Sequence, residues 1–250
     1  MTIPTYLPYF VFGGALAAVA TILYGLNRAL AEAAWPPADR TRALRVSAAI
    51  LIGWLALSVA LAAMGVYHVG ASAIPTIQYG IALPLLIGSL LLWRSDTMAR
   101  LLDAVPQQWL IGVQLYRALG VIFLILYVAG KLPGLFAWPA GVGDIAIGLL
   151  APVVGLAYAR APHDTAGLVR TWNVLGILDL VVAVTTGFIT SPSLIQPIDV
   201  QPNSELMTML PMVLIPVYLV PLSIMLHVAS LAKLHRATAP NGNRVTRASA

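Results

Sequence analysis

The chain has 250 residues, of which 60% are hydrophobic and only 9% are charged, whereas about 25% charged residues are expected in a soluble globular domain. This composition excludes a soluble fold and predicts an all-α integral membrane protein whose main partner is the lipid bilayer. The net charge of +5 rests on too few residues to indicate nucleic-acid binding. We instead use the positions of the basic residues to predict the membrane topology. No cysteine is present, which excludes disulfides, thiolate metal sites and cysteine nucleophiles.

Apolar stretches long enough to cross a ~30 Å hydrocarbon core predict a bundle of about seven transmembrane helices. The second and third come from one uncharged stretch between Arg45 and Arg94 that must fold back at Gly70 to Thr76. Residues 1–235 are therefore expected to form one membrane domain, and 236–250 a disordered, basic cytoplasmic tail. The spans are expected near residues 6–28, 46–69, 77–93, 109–130, 141–159, 171–190 and 209–232.

The basic residues predict the orientation, because Lys and Arg are retained on the cytoplasmic side during insertion. With seven spans, all of the 14 lysines and arginines except Lys131 and Arg117 lie on one side. Six spans would place the two most basic segments, 28–45 and 233–247, on opposite sides. We therefore expect the N-terminus outside and the C-terminus inside, in the plasma or inner membrane of a prokaryote.

Two loop-to-helix segments are similar to each other. PADRTRALR at 37–45 aligns without gaps with PHDTAGLVR at 162–170, and each leads into an apolar span. As parallel repeats joined by the fourth span, the two halves would have a layout that resembles the SWEET sugar transporters in span count and orientation. The proline pattern of that family is absent here, and chance or a shared loop-to-helix solution is the alternative explanation.

Three ionisable residues lie inside predicted spans, where a charge costs about 2.5 to 3.5 kcal/mol at mid-helix: Arg117, Asp144 and Asp179. Arg117 could extend toward the cytoplasmic interface, since its side chain is long. The short side chain of Asp179 cannot reach water, so it must be paired, protonated or next to a wet cavity. Similar depths in the fourth and sixth spans predict a charge pair between Arg117 and Asp179.

Small and polar residues recur at helical spacing on one face of each of four spans. One interpretation is close helix packing with polar groups bonded across helices, and the other is a shared cavity lined by these faces. Such faces could also form an oligomer interface. The stripes are Gln114, Arg117 and Gly120; Asp144, Gly148, Ala151 and Gly155; Asn173, Gly176, Asp179, Ala183 and Thr186; and Ser223, His227 and Ser230.

GVGD at Gly141 to Asp144 resembles the GxGD motif of intramembrane aspartyl proteases, in which two carboxylates activate water. The resemblance implies a second intramembrane aspartate, but Asp179 comes later in the chain than that family's partner does, and the PAL sequence is missing. The same glycines would serve helix packing. No catalytic residue, metal ligand or cofactor is therefore assigned, and an enzyme is the third hypothesis.

The leading functional hypothesis is a carrier for a small solute or ion with a polar cavity inside the bundle. The alternative is a non-transporting subunit or scaffold, in which buried polar groups only hold the helices in register. Water access to Asp179 would separate the two hypotheses, because a carrier must wet its site in at least one state. The residues expected on the substrate or ion path are Arg117, Asp144, Asn173, Asp179 and His227.

Overall fold

The protein is described by a computed structural model that covers residues 4–68, 74–194 and 197–238. Within these ranges it consists of helices and connections, without a β-strand. In chain order the helices are α1 Leu7–Glu32, α2 Pro37–Ala63, α3 Ile77–Arg94, the short α4 Asp96–Ala104, α5 Gln107–Val128, α6 Gly134–Arg160, α7 Pro162–Ile189 and α8, which comprises Ile215–Leu219 and Val220–Thr238.

All of these except α4 are long and apolar enough to cross a membrane, which confirms the prediction of seven such helices in an all-helical chain. Their bounds differ from the predicted spans, since α2, α6 and α7 begin seven to nine residues earlier than expected. Pro37 and Pro162 stand at the start of α2 and α7. A proline there loses no hydrogen bond, because the first N–H groups of a helix have no partner within it.

The C-terminal end of α8 also differs from the prediction, because the helix continues to Thr238. Residue 236 was expected to begin a disordered tail. Lys233 Nζ donates to the carbonyl oxygens of Leu102 and Asp103 at 2.8 and 2.9 Å, and Arg236 pairs with the Asp103 carboxylate at 3.4 Å. These contacts hold the end of α8 against α4. The remainder of the predicted tail, 239–250, and most of the predicted break at Gly70 to Thr76 lie outside the described residues.

Helix α6 is central, since it packs against α5 on one side and α7 on the other, and α7 in turn packs against α8. The largest apolar cluster joins α1, α5, α6 and the start of α8, with Leu7, Leu126 and Tyr218 fully buried. In contrast, α2 buries only Leu55 and Ser58 within the chain, and α3 buries only Leu92. The buried interior is therefore formed mainly by α1 and by α5 to α8.

Two helices depart from α geometry near the centre of the bundle. Residues Val113–Gly120 of α5 form a 3-10 helix, and Ile215–Leu219 of α8 form a π-helical turn. Such segments within longer helices are often found at functional positions, because they change the direction in which side chains project. Arg117 lies within the first of them.

Candidate functional site

Arg117 lies at the centre of a buried ionic cluster formed by three helices. Its Nε donates to Asp144 Oδ1 on α6 at 2.7 Å, and its Nη2 donates to Asp179 Oδ2 on α7. The arginine side chain is 2% exposed, and both carboxylates are 14% exposed. The predicted pair between Arg117 and Asp179 is confirmed. The expectation that Arg117 could extend to the interface is wrong, because its guanidinium is bonded inside the bundle.

Asp144 supplies the second carboxylate of this cluster; the sequence placed it inside a span and among the path residues but did not predict its pairing with Arg117. The span was expected to start at residue 141, so that Asp144 would be near a helix end. Helix α6 instead begins at Gly134, and Asp144 therefore lies ten residues, or about 15 Å at 1.5 Å per residue, from that end. The Arg117 guanidinium binds both carboxylates and thereby links α5 to α6 and α7.

Four glycines make room for this cluster. A Cβ atom at Gly120 would collide with the Asp144 side chain, one at Gly143 with the Asp179 carboxylate, and one at Gly176 with the His227 ring. At Gly148 it would collide with the α5 backbone at Ala118. Gly143 of the GVGD segment is thus explained by the space that a carboxylate from the neighbouring helix needs.

His227 on α8 is bonded at both ring nitrogens, and its partners define its protonation. Nε2 lies 3.1 Å from Arg117 Nη1, and a guanidinium can only donate, so Nε2 accepts. Nδ1 lies 2.9 Å from Asn173 Oδ1, an acceptor, so Nδ1 carries the proton and donates. His227 is therefore neutral in this arrangement. Its ring also packs against Trp172, with ring centroids 4.9 Å apart.

The hydrogen-bond chain continues from His227 toward the N-terminal end of α5. Asn173 Nδ2 donates to Ser230 Oγ at 2.9 Å, and Gln107 Nε2 donates to the same hydroxyl at 2.6 Å. Asn173, Gln107 and Ser230 are all buried. This chain, from Arg117 through His227 and Asn173 to Ser230 and Gln107, closes the bundle on one side of the ionic cluster.

A cavity of about 250 Å³ lies on the other side of the cluster and reaches Asp144. It opens where the α2–α3 and α7–α8 connections meet, and we call this side the mouth face. His68 and Glu205 line the mouth, and their side chains are 40% and 38% exposed. Deeper walls are apolar and include Phe123, Phe136, Leu180, Ile215 and Val220. A smaller cavity of about 40 Å³ adjoins Arg117 and shares Asp144 and several of these walls.

The large cavity is mainly apolar, with two carboxylates and a few other hydrogen-bonding groups in its lining. Asp144 and Glu205 contribute carboxylates, and no lysine or arginine is among the described residues that line it. Gln78 Oε1 is buried and has no hydrogen-bond partner among the described residues. Burial raises the pKa of Tyr67, so this phenol in the cavity wall stays uncharged. The cavity thus suits a group that donates hydrogen bonds or carries positive charge.

Every residue predicted for the substrate or ion path belongs to one connected network: Arg117, Asp144, Asn173, Asp179 and His227. The predicted stripes point inward as expected, but only part of them faces a cavity, since Asp144 and Ala183 line it whereas Asn173 and Gly176 are packed against protein. Gln107 and the aromatic walls were missed. Gln107 precedes the predicted start of its span, and an aromatic residue in an apolar helix carries no sequence signal for a cavity.

Histidine, aspartate and glutamate residues do not form a group of three or more that could hold a metal ion in the described parts of the chain. The sequence model of one protein family, described as a domain of unknown function (DUF8737), matches residues 74–235. This region contains α3 to α8 as far as residue 235 and the whole ionic cluster. No curated protein and no solved structure matches the chain.

Proposed function

The chain belongs to the DUF8737 family, and from the geometry of its site we propose that it is a multi-pass membrane carrier for a small solute, with the cluster of Asp144, Arg117 and Asp179 as its binding centre. The observation that carries the proposal is the position of the cluster between an open cavity and a closed hydrogen-bond chain. A carrier with alternating access needs a central site that is open on one side and sealed on the other.

The basic residues support an orientation for this carrier. Most of them lie at the ends of helices away from the mouth face, as at Arg94, Arg160 and Lys233. Because positive residues are retained in the cytoplasm, the mouth face would be outside, with the N-terminus outside and the C-terminus inside. The seven apolar helices are compatible with this arrangement. We propose the plasma or inner membrane of a prokaryote as its location.

Cysteine accessibility tests the carrier directly, because the chain has no native cysteine. Ala183 lines the cavity, so Ala183→Cys places a thiol in the region that the proposed carrier exposes alternately. A charged, impermeant methanethiosulfonate should modify this thiol from outside in intact cells and from the cytoplasmic side in inverted vesicles. Modification from the cytoplasmic side requires the hydrogen bonds from His227 through Asn173 and Ser230 to Gln107 to break.

The control is Val182→Cys on the same helix, since Val182 is 44% exposed on the outer surface of the bundle, where lipid would cover it. This thiol should stay unmodified from both sides. Modification of Ala183→Cys from the mouth side alone, in every condition tested, would contradict the carrier. An unmodified Ala183→Cys thiol in the folded protein would show that the cavity is not wetted.

A scaffold without transport is the second candidate, and the closed hydrogen-bond chain is the observation that favours it. Gln107, Asn173 and His227 join α5, α7 and α8, as polar groups that fix helix register would do. A scaffold would keep this chain closed permanently. One-sided modification of Ala183→Cys is therefore the outcome that would favour the scaffold over the carrier.

A further inference from the structure

The charges of the central cluster do not balance. Arg117 supplies +1, and the two carboxylates that it binds supply −2 when both are ionised, which leaves −1 inside the bundle. His227 cannot compensate, because its Nε2 accepts from Arg117 and its ring is neutral. An uncompensated charge at this depth is costly. The cluster therefore needs one additional positive charge to be neutral, and a proton or a bound cation can supply that charge.

Through the cavity, a proton or a cation can reach one of the two carboxylates, Asp144. Asp144 Oδ1 accepts a hydrogen bond from Arg117 Nε, and Asp144 also lines both cavities. Asp179 is bonded to the same guanidinium but does not line the large cavity. A cation that enters from the mouth face thus meets Asp144 first.

The walls of the cavity specify the rest of the ligand. Phe123 and Phe136 pack edge to face with ring centroids 5.2 Å apart, and both line the cavity. Leu180, Ile215 and Val220 complete an apolar surround. Aromatic faces attract a cation and apolar walls exclude a strongly hydrated one. A cavity of about 250 Å³ is below the range of about 300 to 1,000 Å³ that is usual for drug-sized ligands, so the ligand must be small.

We infer that the cavity binds a small organic cation, an ammonium group on an apolar body, and that this cation exchanges for one proton at the central cluster. In the empty site a carboxylate O–H keeps the cluster neutral. When the cation binds, the O–H bond breaks, the electron pair stays on the carboxylate and the proton leaves through the cavity to water. The cluster is neutral before and after, so one cation enters for each proton released. This inference rests on the proposed carrier function.

Other titratable groups near the cluster do not replace this step. Tyr116 is hydrogen-bonded to Ser223 on α8, and His227 is already fixed as an acceptor toward Arg117. Glu205 pairs with His68 at 3.7 Å at the exposed mouth, where water compensates its charge. The groups that line the cavities or bind the cluster are Tyr67, His68, Tyr116, Arg117, Asp179, Glu205 and His227.

Binding of benzyltrimethylammonium to the full chain in lipid nanodiscs tests the inference. This ion has a fixed charge, so any pH dependence of its affinity comes from the protein. Over about pH 5 to 9, its affinity should fall as the pH falls, and a pH dye in weak buffer should report about one proton released per cation bound. Neopentylbenzene, in which carbon replaces nitrogen, should bind at least about tenfold more weakly.

Two variants locate the site. Asp144→Asn should lower the affinity for benzyltrimethylammonium at least about tenfold and abolish proton release, whereas Glu32→Gln, which replaces an exposed carboxylate at the end of α1, should retain both. Since Asp144→Asn alters the ionic cluster, Ala183→Phe provides an independent test: it fills the cavity, leaves all three charged residues in place and should also abolish binding.

Equal affinity for the neutral analogue, or undiminished binding by Asp144→Asn, would overturn the organic-cation site. Binding without proton release would overturn the exchange. Both failures are distinguishable from failure of the carrier itself, because two-sided modification of Ala183→Cys does not depend on the ligand. If that thiol is modified from both sides and no cation binds, the carrier stands and the substrate class is wrong.

Discussion

Removal of Arg117 should destabilise the protein far more than removal of either carboxylate that it binds. Asp179→Asn leaves Arg117 and Asp144 as a neutral pair, and the asparagine oxygen can still accept from Nη2. This hydrogen bond still involves the charged guanidinium, and such bonds contribute about 1.5 to 3 kcal/mol. Asp179→Asn therefore changes the bond only within that range, and the expected loss in the free energy of unfolding is about 1 kcal/mol.

Arg117→Gln leaves two carboxylates without their cation and removes the donors to Gly176 O and His227 Nε2. Breaking a buried pair by removing one partner costs about 3 to 5 kcal/mol, so the loss should fall in that range. The triple variant Arg117→Gln/Asp144→Asn/Asp179→Asn removes every charge of the cluster. Most of the lost stability should return in this variant, although its hydrogen bonds are weaker.

Reversible unfolding by SDS in mixed micelles, followed by circular dichroism, measures these differences. Arg160→Gln is the matched control, because Arg160 is an exposed arginine in the last turn of α6; its loss should be below about 0.5 kcal/mol. Equal losses for Asp179→Asn and Arg117→Gln would refute the charge count. A triple variant as unstable as Arg117→Gln would show that packing, and not charge, dominates the cluster.

Three further predictions use other features of the structure. Gly143→Ala places a methyl group against the Asp179 carboxylate of α7 and should lower the free energy of unfolding by about 1 to 3 kcal/mol. Gly13→Ala is the control, because open space surrounds Gly13; in the same assay it should be neutral or stabilising. Nitrogen-15 NMR of His227 should show the neutral ring protonated at Nδ1; an imidazolium or an Nε2–H ring would contradict the assigned donors. In intact cells, an impermeant thiol reagent should modify Leu194→Cys, which is 65% exposed, but not Ala33→Cys, and the reverse pattern would invert the proposed topology.

The pairing of Arg117 with Asp179 could be predicted from the sequence because depth in a membrane span is a strong constraint. Each residue lay a similar distance into its own span, and a short aspartate side chain in hydrocarbon needs a partner. Helical spacing also identified the inward faces of α5 to α8, including Asn173 and His227. Helical periodicity of polar residues and the energetic cost of a buried charge together therefore predicted five residues that belong to one network.

Asp144 shows why the sequence did not predict the whole ionic cluster. Its partner depends on where α6 begins, and Pro139 made residues 134–140 resemble a loop. Proline within a helix is tolerated when the lost hydrogen bond is offset by packing, and here Phe136, Ala137 and Ala140 are buried in the main apolar cluster. That compensation is tertiary, so it cannot be read from the local sequence. The sequence predicted a polar cavity within the bundle, but it did not predict that the walls are mainly apolar, since these walls depend on the distance between helices.

The ionic cluster is open to a cavity on one face and closed by hydrogen bonds on the other, and transport would require the closed face to open. On the mouth face, Asp144 is reached without breaking a hydrogen bond of the network. On the opposite face, the contacts of Arg117 with His227, of His227 with Asn173 and of Ser230 with Gln107 must all separate. These bonds join α8 to α5 and α7, and both α5 and α8 contain non-α segments beside the cluster. A movement of α8 away from α5 and α7 at its π-helical segment would separate these contacts, whereas the bonds from Arg117 to Asp144 and Asp179 join only α5, α6 and α7 and need not break.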